Sequence, residues 1–250
     1  GGVVGAADVA KSDPDGYKLL LVSSGELTAA PNLAKTSYSL DSFDFIGRLS
    51  SKPYALVVNA KAPWGKAADM LQAIKSQPGK HTIVTTPTGG MFLTAQYFIR
   101  RGGVQLTTVP FGGAGPALTA GLGGHIDSVW APLAAAESHV RAGTLRLLAV
   151  SGPGRTEGHR DIPTFAELGL DAPHVQWIGV VGPKGISSDR LGFLRDAFAR
   201  ITKDADYRRT AEKMGIEVAY GSAQEFEKQV RDEDVAFKKL VKEFDLMPKK

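Results

Sequence analysis

Four junctions between a predicted strand and a predicted helix are rich in small or hydroxyl-bearing residues. Glycine lets a ligand approach the backbone closely, and the free amides at a helix N-terminus offer donors and partial positive charge to a carboxylate. Ligands of open α/β sheets collect at the carboxyl ends of strands, so the four junctions together predict a site for a small anion. The junctions are Ser23-Ser24-Gly25-Glu26, Thr85-Thr86-Pro87-Thr88-Gly89-Gly90, Val109 to Leu118, and Trp130-Ala131-Pro132.

Within these junctions, fourteen residues are predicted to contact the ligand, with Phe111 as a wall of the pocket. A single glycine-rich loop is more often a plain turn, and packing is an equally good interpretation of Trp130. The predicted ligand-binding residues are Ser23, Ser24, Gly25, Glu26, Thr86, Thr88, Gly89, Gly90, Met91, Phe111, Gly112, Gly113, Trp130 and Ala131.

No catalytic, nucleotide or metal motif accompanies these junctions. The chain has neither a Gly-Lys-Ser/Thr phosphate loop nor a Gly-x-Gly-x-x-Gly fingerprint, its five histidines lack metal-ligand spacing, and it contains no cysteine. His125 and Asp127 alternate along a predicted strand and face the same way, which fits an acid/base pair or, more simply, a hydrogen-bonded surface histidine. Ser23 and Ser24 lack the Gly-x-Ser-x-Gly nucleophile elbow. We therefore predict a binding protein without cofactor or metal, not an enzyme.

Composition points to an ordinary globular protein. Of 250 residues, 43% are hydrophobic and 22% are charged, and the net charge of +4 mildly favours anionic partners. The basic residues are dispersed, and the densest run, Lys238 to Lys242, lies among acidic residues, so no nucleic-acid partner is predicted. No apolar run is long enough to span a membrane, and no signal peptide is visible, as in a mature secreted protein or a cytosolic one.

Apolar strands and helical patterns alternate along the chain, which predicts an α/β fold with parallel strands. The predicted strands are Lys18–Val22, Phe45–Leu49, Ala55–Asn59, Thr82–Thr85, Thr107–Val109, Ser128–Trp130, Leu145–Val150 and Trp177–Val181. The predicted helices are Ala67–Ser76, Met91–Arg100, Pro116–Leu122, Leu133–Arg141, Asp189–Ile201 and Ala205–Met214, the last of these ending at Gly215.

The C-terminal helix carries the clearest local signals. Ser222-Ala223-Gln224-Glu225 has the spacing of a capping box, and an apolar stripe from Phe226 to Phe244 follows at helical spacing. We interpret the stripe as core packing. Two segments marked by proline and glycine, around Pro63 and from Pro173 to Pro183, are candidate crossings between domains. Residues 62–174 then form one α/β unit, and residues 1–61 with 175–250 form a second, discontinuous unit.

The order of short motifs resembles one family, the TctC or Bug receptors of tripartite tricarboxylate transporters. Those proteins typically carry Gly-Gly-x-x-Gly-Ala, Pro-Asp-Gly-Tyr, a Leu-Leu strand, a Thr/Ser-Ser-Gly loop, and, further along, Val-Pro-Tyr-x-Gly and Asp-Val-Pro-Thr. Each motif is short, but so many in one order make the resemblance specific. The matching segments here are Gly1-Gly2-Val3-Val4-Gly5-Ala6, Pro14-Asp15-Gly16-Tyr17, Leu19-Leu20-Leu21, Ser23-Ser24-Gly25, Val109-Pro110-Phe111-Gly112-Gly113, Pro116-Ala117-Leu118, Leu122 to Asp127, Arg141 to Val150 and Asp161 to Gly169.

The resemblance implies a type II periplasmic-binding-protein-like fold with two α/β lobes and a cleft between them. It also implies a monomeric periplasmic receptor that captures a small organic anion and delivers it to membrane permease subunits. An α/β enzyme acting on small molecules and the ligand-sensing domain of a regulator stay open as alternatives.

This sequence departs from the family pattern in four places. It starts after the strand and Pro-x-Gly-Gly loop that usually open the fold, so we expect one wall of the cleft to be missing. The loop from Thr85 to Met91 is shorter and lacks a Ser/Thr-x-x-His stretch. Ala131 stands where aspartate is common, and Glu26 stands where a small or hydroxyl residue is common. Because Glu26 would repel a carboxylate, we expect a ligand other than a typical dicarboxylate.

Overall fold

The structure, a computed structural model, describes residues 2–213 and 218–247. Contacts divide the chain into two compact units: unit 1 comprises Gly1–Ser51 with Gln176–Lys250, and unit 2 comprises Lys52–Val175. In the described part of the chain, no helix is both long and apolar enough to cross a membrane.

The strands and helices alternate along most of the chain. The strands are β1 (Leu20–Ser23), β2 (Phe43–Asn59), β3 (Thr82–Thr85), β4 (Thr107–Pro110), β5 (Ser128–Pro132), β6 (Leu145–Val150), β7 (Val175–Pro183) and β8 (Val218–Gly221). The helices are α1 (Val3–Val9), α2 (Ala30–Leu33), α3 (Ala67–Ser76), α4 (Gly89–Arg101), α5 (Ala114–Leu122), α6 (Leu133–Arg141), α7 (Ser188–Ile201), α8 (Ala205–Lys213) and α9 (Ala223–Glu243).

Unit 1 is built on a sheet in which β7 pairs with β1 and β2, and β8 pairs with β2. Its core forms where α9 lays its apolar stripe on the sheet, and Phe226 meets Trp177 and Phe45 edge-on at centroid distances of 5.1 and 5.4 Å. A Cβ on Gly179 of β7 would lie 2.3 Å from the Phe226 ring, so this packing requires glycine. The stripe is therefore core, as its helical spacing predicts.

Unit 2 has a sheet in which β3 runs parallel to β4 and β5, while β5 and β6 pair antiparallel with the second half of β2. Its core holds a stack of aromatic rings: Trp130 lies between Phe98, Phe165 and Tyr54 at centroid distances of 5.1 to 6.0 Å. Such stacks bury large apolar areas, so they fix the strand ends from which the helices start.

Several sequence predictions need correction. Most strand pairs are antiparallel, so the sheets are mixed rather than parallel. The predicted strands Phe45–Leu49 and Ala55–Asn59 are parts of one strand, β2, which continues unbroken between them. Its first half pairs with β8 and its second half with β5. Strand β8 was not predicted. The predicted end of α8 at Met214 and Gly215 lies outside the described residues, as does Gly1.

Candidate functional site

In unit 2, the junctions after β3 and β4 lie side by side. These two strands are parallel neighbours with Thr85 opposite Pro110, and the Phe111 amide donates to the Thr85 carbonyl at 2.9 Å. The carboxyl ends of neighbouring parallel strands meet at one edge of a sheet, which is where ligands of such sheets bind. The segments carrying Thr86 to Gly90 and Phe111 to Gly113 therefore come together, as their positions after predicted strands suggest.

The start of α4 leaves its first amides without a side-chain acceptor. Thr88 is the extended N-cap residue and makes no capping hydrogen bond, while its carbonyl accepts from the Thr86 hydroxyl at 2.8 Å. Gly89 has φ +88°, and a Cβ there would meet no atom within 4 Å, so this glycine faces open space. Amides of this kind are ready donors for an anion.

The start of α5 has the same character. Its N-cap, Gly113, has φ +150° and no side-chain cap. A Cβ added to Gly112, Gly113 or Gly115 would also meet nothing within 4 Å. Phe111 is half-buried and packs against the core of unit 2, so only part of its ring can form a pocket wall.

Buried hydroxyls support the start of α4 from below. Thr94 donates to the Gly90 carbonyl at 2.8 Å and accepts from the Trp130 indole at 3.0 Å. Thr85 donates to the Met91 carbonyl at 3.1 Å. Gly90 and Met91 are themselves buried.

Trp130 and Ala131 occupy a different environment from the one predicted. Both lie within β5 rather than in a loop after it, opposite Leu56 and Ala55 of β2, and both are 0% exposed. The Trp130 ring belongs to the aromatic stack because β5 is the central strand between β2 and β3. Packing is therefore the role that the structure gives Trp130, and a direct ligand contact stays a prediction.

In unit 1, the Ser23-Ser24-Gly25-Glu26 junction is the start of a helical segment rather than a loop, and its N-cap residue Ser24 makes no side-chain cap. Ser24 has φ −57° and ψ −26°, and a π-helical turn, Gly25–Ala29, continues directly into α2. The Glu26 carboxylate accepts from the Ser23 amide at 3.0 Å and from the Ser23 hydroxyl at 2.6 Å. Ser-x-x-Glu is the spacing of a capping box, so the signal was present in the sequence and was missed.

Two adjacent acids of α9 hold this helical segment from the core side. Thr28 donates to Glu233 at 2.6 Å, and Asn32 donates to Asp234 at 2.8 Å. The Trp177 indole also donates to Glu233, at 3.2 Å. Burial raises the pKa of Glu233 to about 7, against the hydrogen bonds that lower it. Sequence reasoning missed this anchor because Thr28 and Glu233 are 205 residues apart.

The histidine and aspartate proposed as an acid/base pair have separate surroundings. His125 is exposed in a bend before β5, not on a strand. Asp127 accepts from the Thr82 amide and hydroxyl, both at 2.8 Å, and so fixes the start of β3. Within the described residues, no group of three histidines, aspartates and glutamates has the geometry to hold a metal ion.

Two concave regions of unit 2 lie largely away from the starts of α4 and α5. A cavity of about 680 Å³ lies at the opposite end of β3 and β5 from the helix starts and includes none of the predicted ligand residues. A shallow groove of about 780 Å³ along α5 includes Phe111 and His125. The cavity is lined by Asn59, Ala60, Lys61, Ala62, Pro63, Trp64, Leu122, Gly123, Gly124, Ile126, Asp127, Gly143 and Thr144.

The model of the tripartite tricarboxylate transporter family receptor, TctC, matches residues 1–246, and the chain belongs to this family. The family and its solved structures are solute-binding proteins, which confirms the prediction of a binding protein rather than an enzyme.

Individual relatives agree with this assignment. The UPF0065 protein in the gbd 5′ region of Cupriavidus necator is 30% identical over 90% of this chain and 69% of its own length. Protein BugT of Bordetella pertussis is 32% identical over 74% of this chain and 58% of its own length. The chain thus spans well under the full length of these curated relatives.

Solved structures confirm the fold. A TctC solute-binding protein from Polaromonas, without ligand, superposes with a TM-score of 0.85 at 29% identity, covering 97% of this chain and 84% of that one. An R. palustris protein with adipate superposes with a TM-score of 0.81 at 24% identity, covering 96% of this chain and 82% of that one. At that lower identity the likeness concerns the fold alone.

Proposed function

We propose that this protein is an extracytoplasmic receptor that captures a small organic carboxylate and delivers it to the permease subunits of a tripartite tricarboxylate-type transporter. Unit 1 and unit 2 are proposed to be the two lobes of that receptor. A periplasmic location and a monomeric state belong to the same proposal, and the resemblance to this receptor family is what supports them.

The observation that carries the proposal is the pair of adjacent, uncapped helix starts in unit 2. The N-cap residues Thr88 and Gly113 make no side-chain capping hydrogen bond, and Gly89, Gly112 and Gly113 face open space. A carboxylate supplies acceptors for the first amides of these helices, and its charge is favourable at a helix N-terminus. Hydroxyls of Thr86 and Thr88 lie on the same segment and are proposed as further contacts.

Ligand-dependent thermal unfolding tests the proposal. The panel contains mono-, di- and tricarboxylates, including adipate, together with amino acids and aromatic acids. A ligand at 100 times its dissociation constant stabilises the native state by about 2.7 kcal/mol, which raises the melting temperature by several degrees. We expect one class of carboxylate to produce this rise, without conversion to a product.

Calorimetry on the same ligand separates binding from catalysis. A hyperbolic isotherm with one site and unchanged ligand after recovery supports a receptor. Turnover of the ligand, or a folded protein that no carboxylate stabilises, would contradict the proposed function.

A further inference from the structure

The groove along α5 in unit 2 shares its first residues with the open start of that helix. Gly115 and Pro116 belong to the first turn of α5, and Phe111 lies just before the helix. From there the groove follows the side of α5 for about two helical turns, past Thr119 and Ala120. A ligand bound at the helix start therefore has this groove directly beside it.

The first turn of α5 offers donors for one carboxylate. The Ala117 amide donates to the Gly113 carbonyl at 3.1 Å, and Pro116 carries no amide hydrogen. Within the described residues, the amides of Ala114 and Gly115 have no hydrogen-bond acceptor. These two donors match the two oxygens of one carboxylate. A Cβ on Gly115 would meet no atom within 4 Å, so a ligand can approach this backbone closely.

Beyond these amides the groove is apolar. Pro116 and Ala120 present carbon surfaces, and the Thr119 hydroxyl donates to the Gly115 carbonyl at 3.1 Å, so its proton is already used. No lysine, arginine, aspartate or glutamate is among the described residues that line the groove, and His125 lies past the C-terminal end of α5. A second carboxylate placed along α5 would therefore lose its water without gaining a countercharge.

We infer that the groove along α5 holds the apolar part of the ligand, so that the receptor selects monocarboxylates with an aliphatic or aromatic tail over dicarboxylates. This inference rests on the proposed function. The carboxylate binds at the amides of Ala114 and Gly115, and the tail lies against Phe111 and the side of α5. Each methylene group that leaves water favours binding, whereas a second charge at the same place opposes it.

A pair of ligands with equal carbon chains isolates the far end of the ligand. Hexanoate and adipate have the same number of carbon atoms, and the far end is a methyl group in hexanoate and a second carboxylate in adipate. Isothermal titration calorimetry gives the ratio of their dissociation constants. We expect the wild-type protein to bind hexanoate at least about tenfold more tightly than adipate.

Two substitutions of Thr119 change the ratio in opposite directions. Thr119→Lys places an ammonium group in the groove one helical turn after Gly115, where it pairs with the far carboxylate of adipate. We expect the preference for hexanoate to fall about tenfold or more. Thr119→Val makes the groove more apolar, and we expect it to strengthen that preference. Thr119 is exposed, and thermal unfolding of both variants without ligand verifies that they fold.

The matched control for the added charge is Thr210→Lys on α8 of unit 1. The Thr210 hydroxyl donates to the carbonyl of Asp206, four residues earlier, at 2.8 Å, as the Thr119 hydroxyl does to Gly115. This control should keep the wild-type ratio within about twofold. An equal fall in Thr119→Val or Thr210→Lys, or an unchanged ratio in Thr119→Lys, would overturn the inference.

The wild-type ratio separates this inference from the proposed function. Equal affinities, or a preference for adipate, would place a second carboxylate at the neighbouring start of α4 rather than an apolar tail along α5. That outcome would overturn the inference and leave carboxylate binding intact. A folded wild-type protein that binds no carboxylate would contradict the proposed function, and the inference falls with it.

Discussion

Two helix starts of unit 1 differ from the starts of α4 and α5 in unit 2 in what occupies them. In unit 1, Glu26 and Glu225 each lie three residues after a serine and accept a hydrogen bond from it. A carboxylate of the chain itself therefore lies at each of these two starts. In unit 2, Thr88 and Gly113 make no side-chain cap, and glycines surround them. The first amides of a helix therefore contribute to stability where the chain supplies an acceptor. Where the chain supplies none, they are available to a ligand.

In unit 2, the aromatic stack around Trp130 packs beneath the start of α4. Substituting Trp130 with alanine removes the central ring of the aromatic stack and the indole donor to Thr94. We expect the free energy of unfolding to fall by about 3–5 kcal/mol, the usual cost of truncating a buried tryptophan. Urea denaturation measures this loss.

Trp130→Phe sharpens the same test, because it keeps an aromatic ring in the stack but removes the indole donor to Thr94. We expect it to be folded and to bind the carboxylate ligand with an affinity close to that of the wild type. A large loss of affinity in a stable Trp130→Phe protein would instead assign the indole a direct role at the ligand.

The anchor below the capped start in unit 1 predicts a pH effect. The pKa of Glu233 is raised from its ordinary 4.5 to about 7, so the folded state keeps its proton over a range where the unfolded state has lost it. The stabilisation from this group is fully present below about pH 4.5 and is lost as the pH rises through 7, with a total of about 3 kcal/mol.

His174 in unit 2 changes the free energy of unfolding with pH in the opposite direction to Glu233. Burial lowers its pKa from 6.5 to about 4, so it favours the unfolded state as the pH falls through that interval. The two groups nearly cancel between pH 4.5 and 6.5. The quantity to measure is therefore the difference in unfolding free energy between wild type and Glu233→Gln, which we expect to change by about 3 kcal/mol from pH 4.5 to 7.5. A difference that does not vary with pH would show that folding does not raise the pKa of Glu233.

A substitution at Gly113 tests the open helix starts themselves. Gly113→Val places a side chain over the α5 amides, and we expect affinity for the carboxylate ligand to fall at least about thirtyfold, or about 2 kcal/mol. Its φ of +150° also strains any other residue, at about 1–3 kcal/mol of stability. Calorimetry measures the affinity.

Gly103→Val is the control for strain. Gly103 has φ +64° and open space beside it, but it follows the C-terminal end of α4. This variant should lose stability and keep its affinity for the ligand. Equal losses of affinity in both variants would attribute the Gly113 effect to global destabilisation.

Local signals allowed much of the fold to be predicted from the sequence. The bounds of α3, α6, β3 and β6 agree with prediction because apolar spacing and turn residues mark their ends. The cap of α9 agrees for the same reason, since Ser222 and Glu225 lie within one turn. The helix starts at Gly89 and Ala114 lie within two residues of their predicted positions.

Features that depend on distant partners escaped prediction. The long β2 was split into two strands because its halves are defined by pairing with β8 and with β5. The buried position of Trp130 depends on rings from three other segments. Glu233 resembles any acid in a charged helix until Thr28 is placed against it. Contacts of this kind carry no local sequence pattern.

The smallest expected effect concerns the two capping serines. Ser222→Ala and Ser23→Ala each remove a capping hydroxyl, so we expect each to lower the free energy of unfolding by about 1 kcal/mol. Because Glu26 already occupies the donors of Ser23, Ser23→Ala should bind the carboxylate ligand within about twofold of the wild type, as Ser222→Ala should. Thermal unfolding and calorimetry on the two variants measure both quantities. If only Ser23→Ala lost affinity, the Ser23 hydroxyl of the wild-type protein would have to contact the ligand instead of Glu26. The distinction between capped and open helix starts would then no longer separate stability from binding.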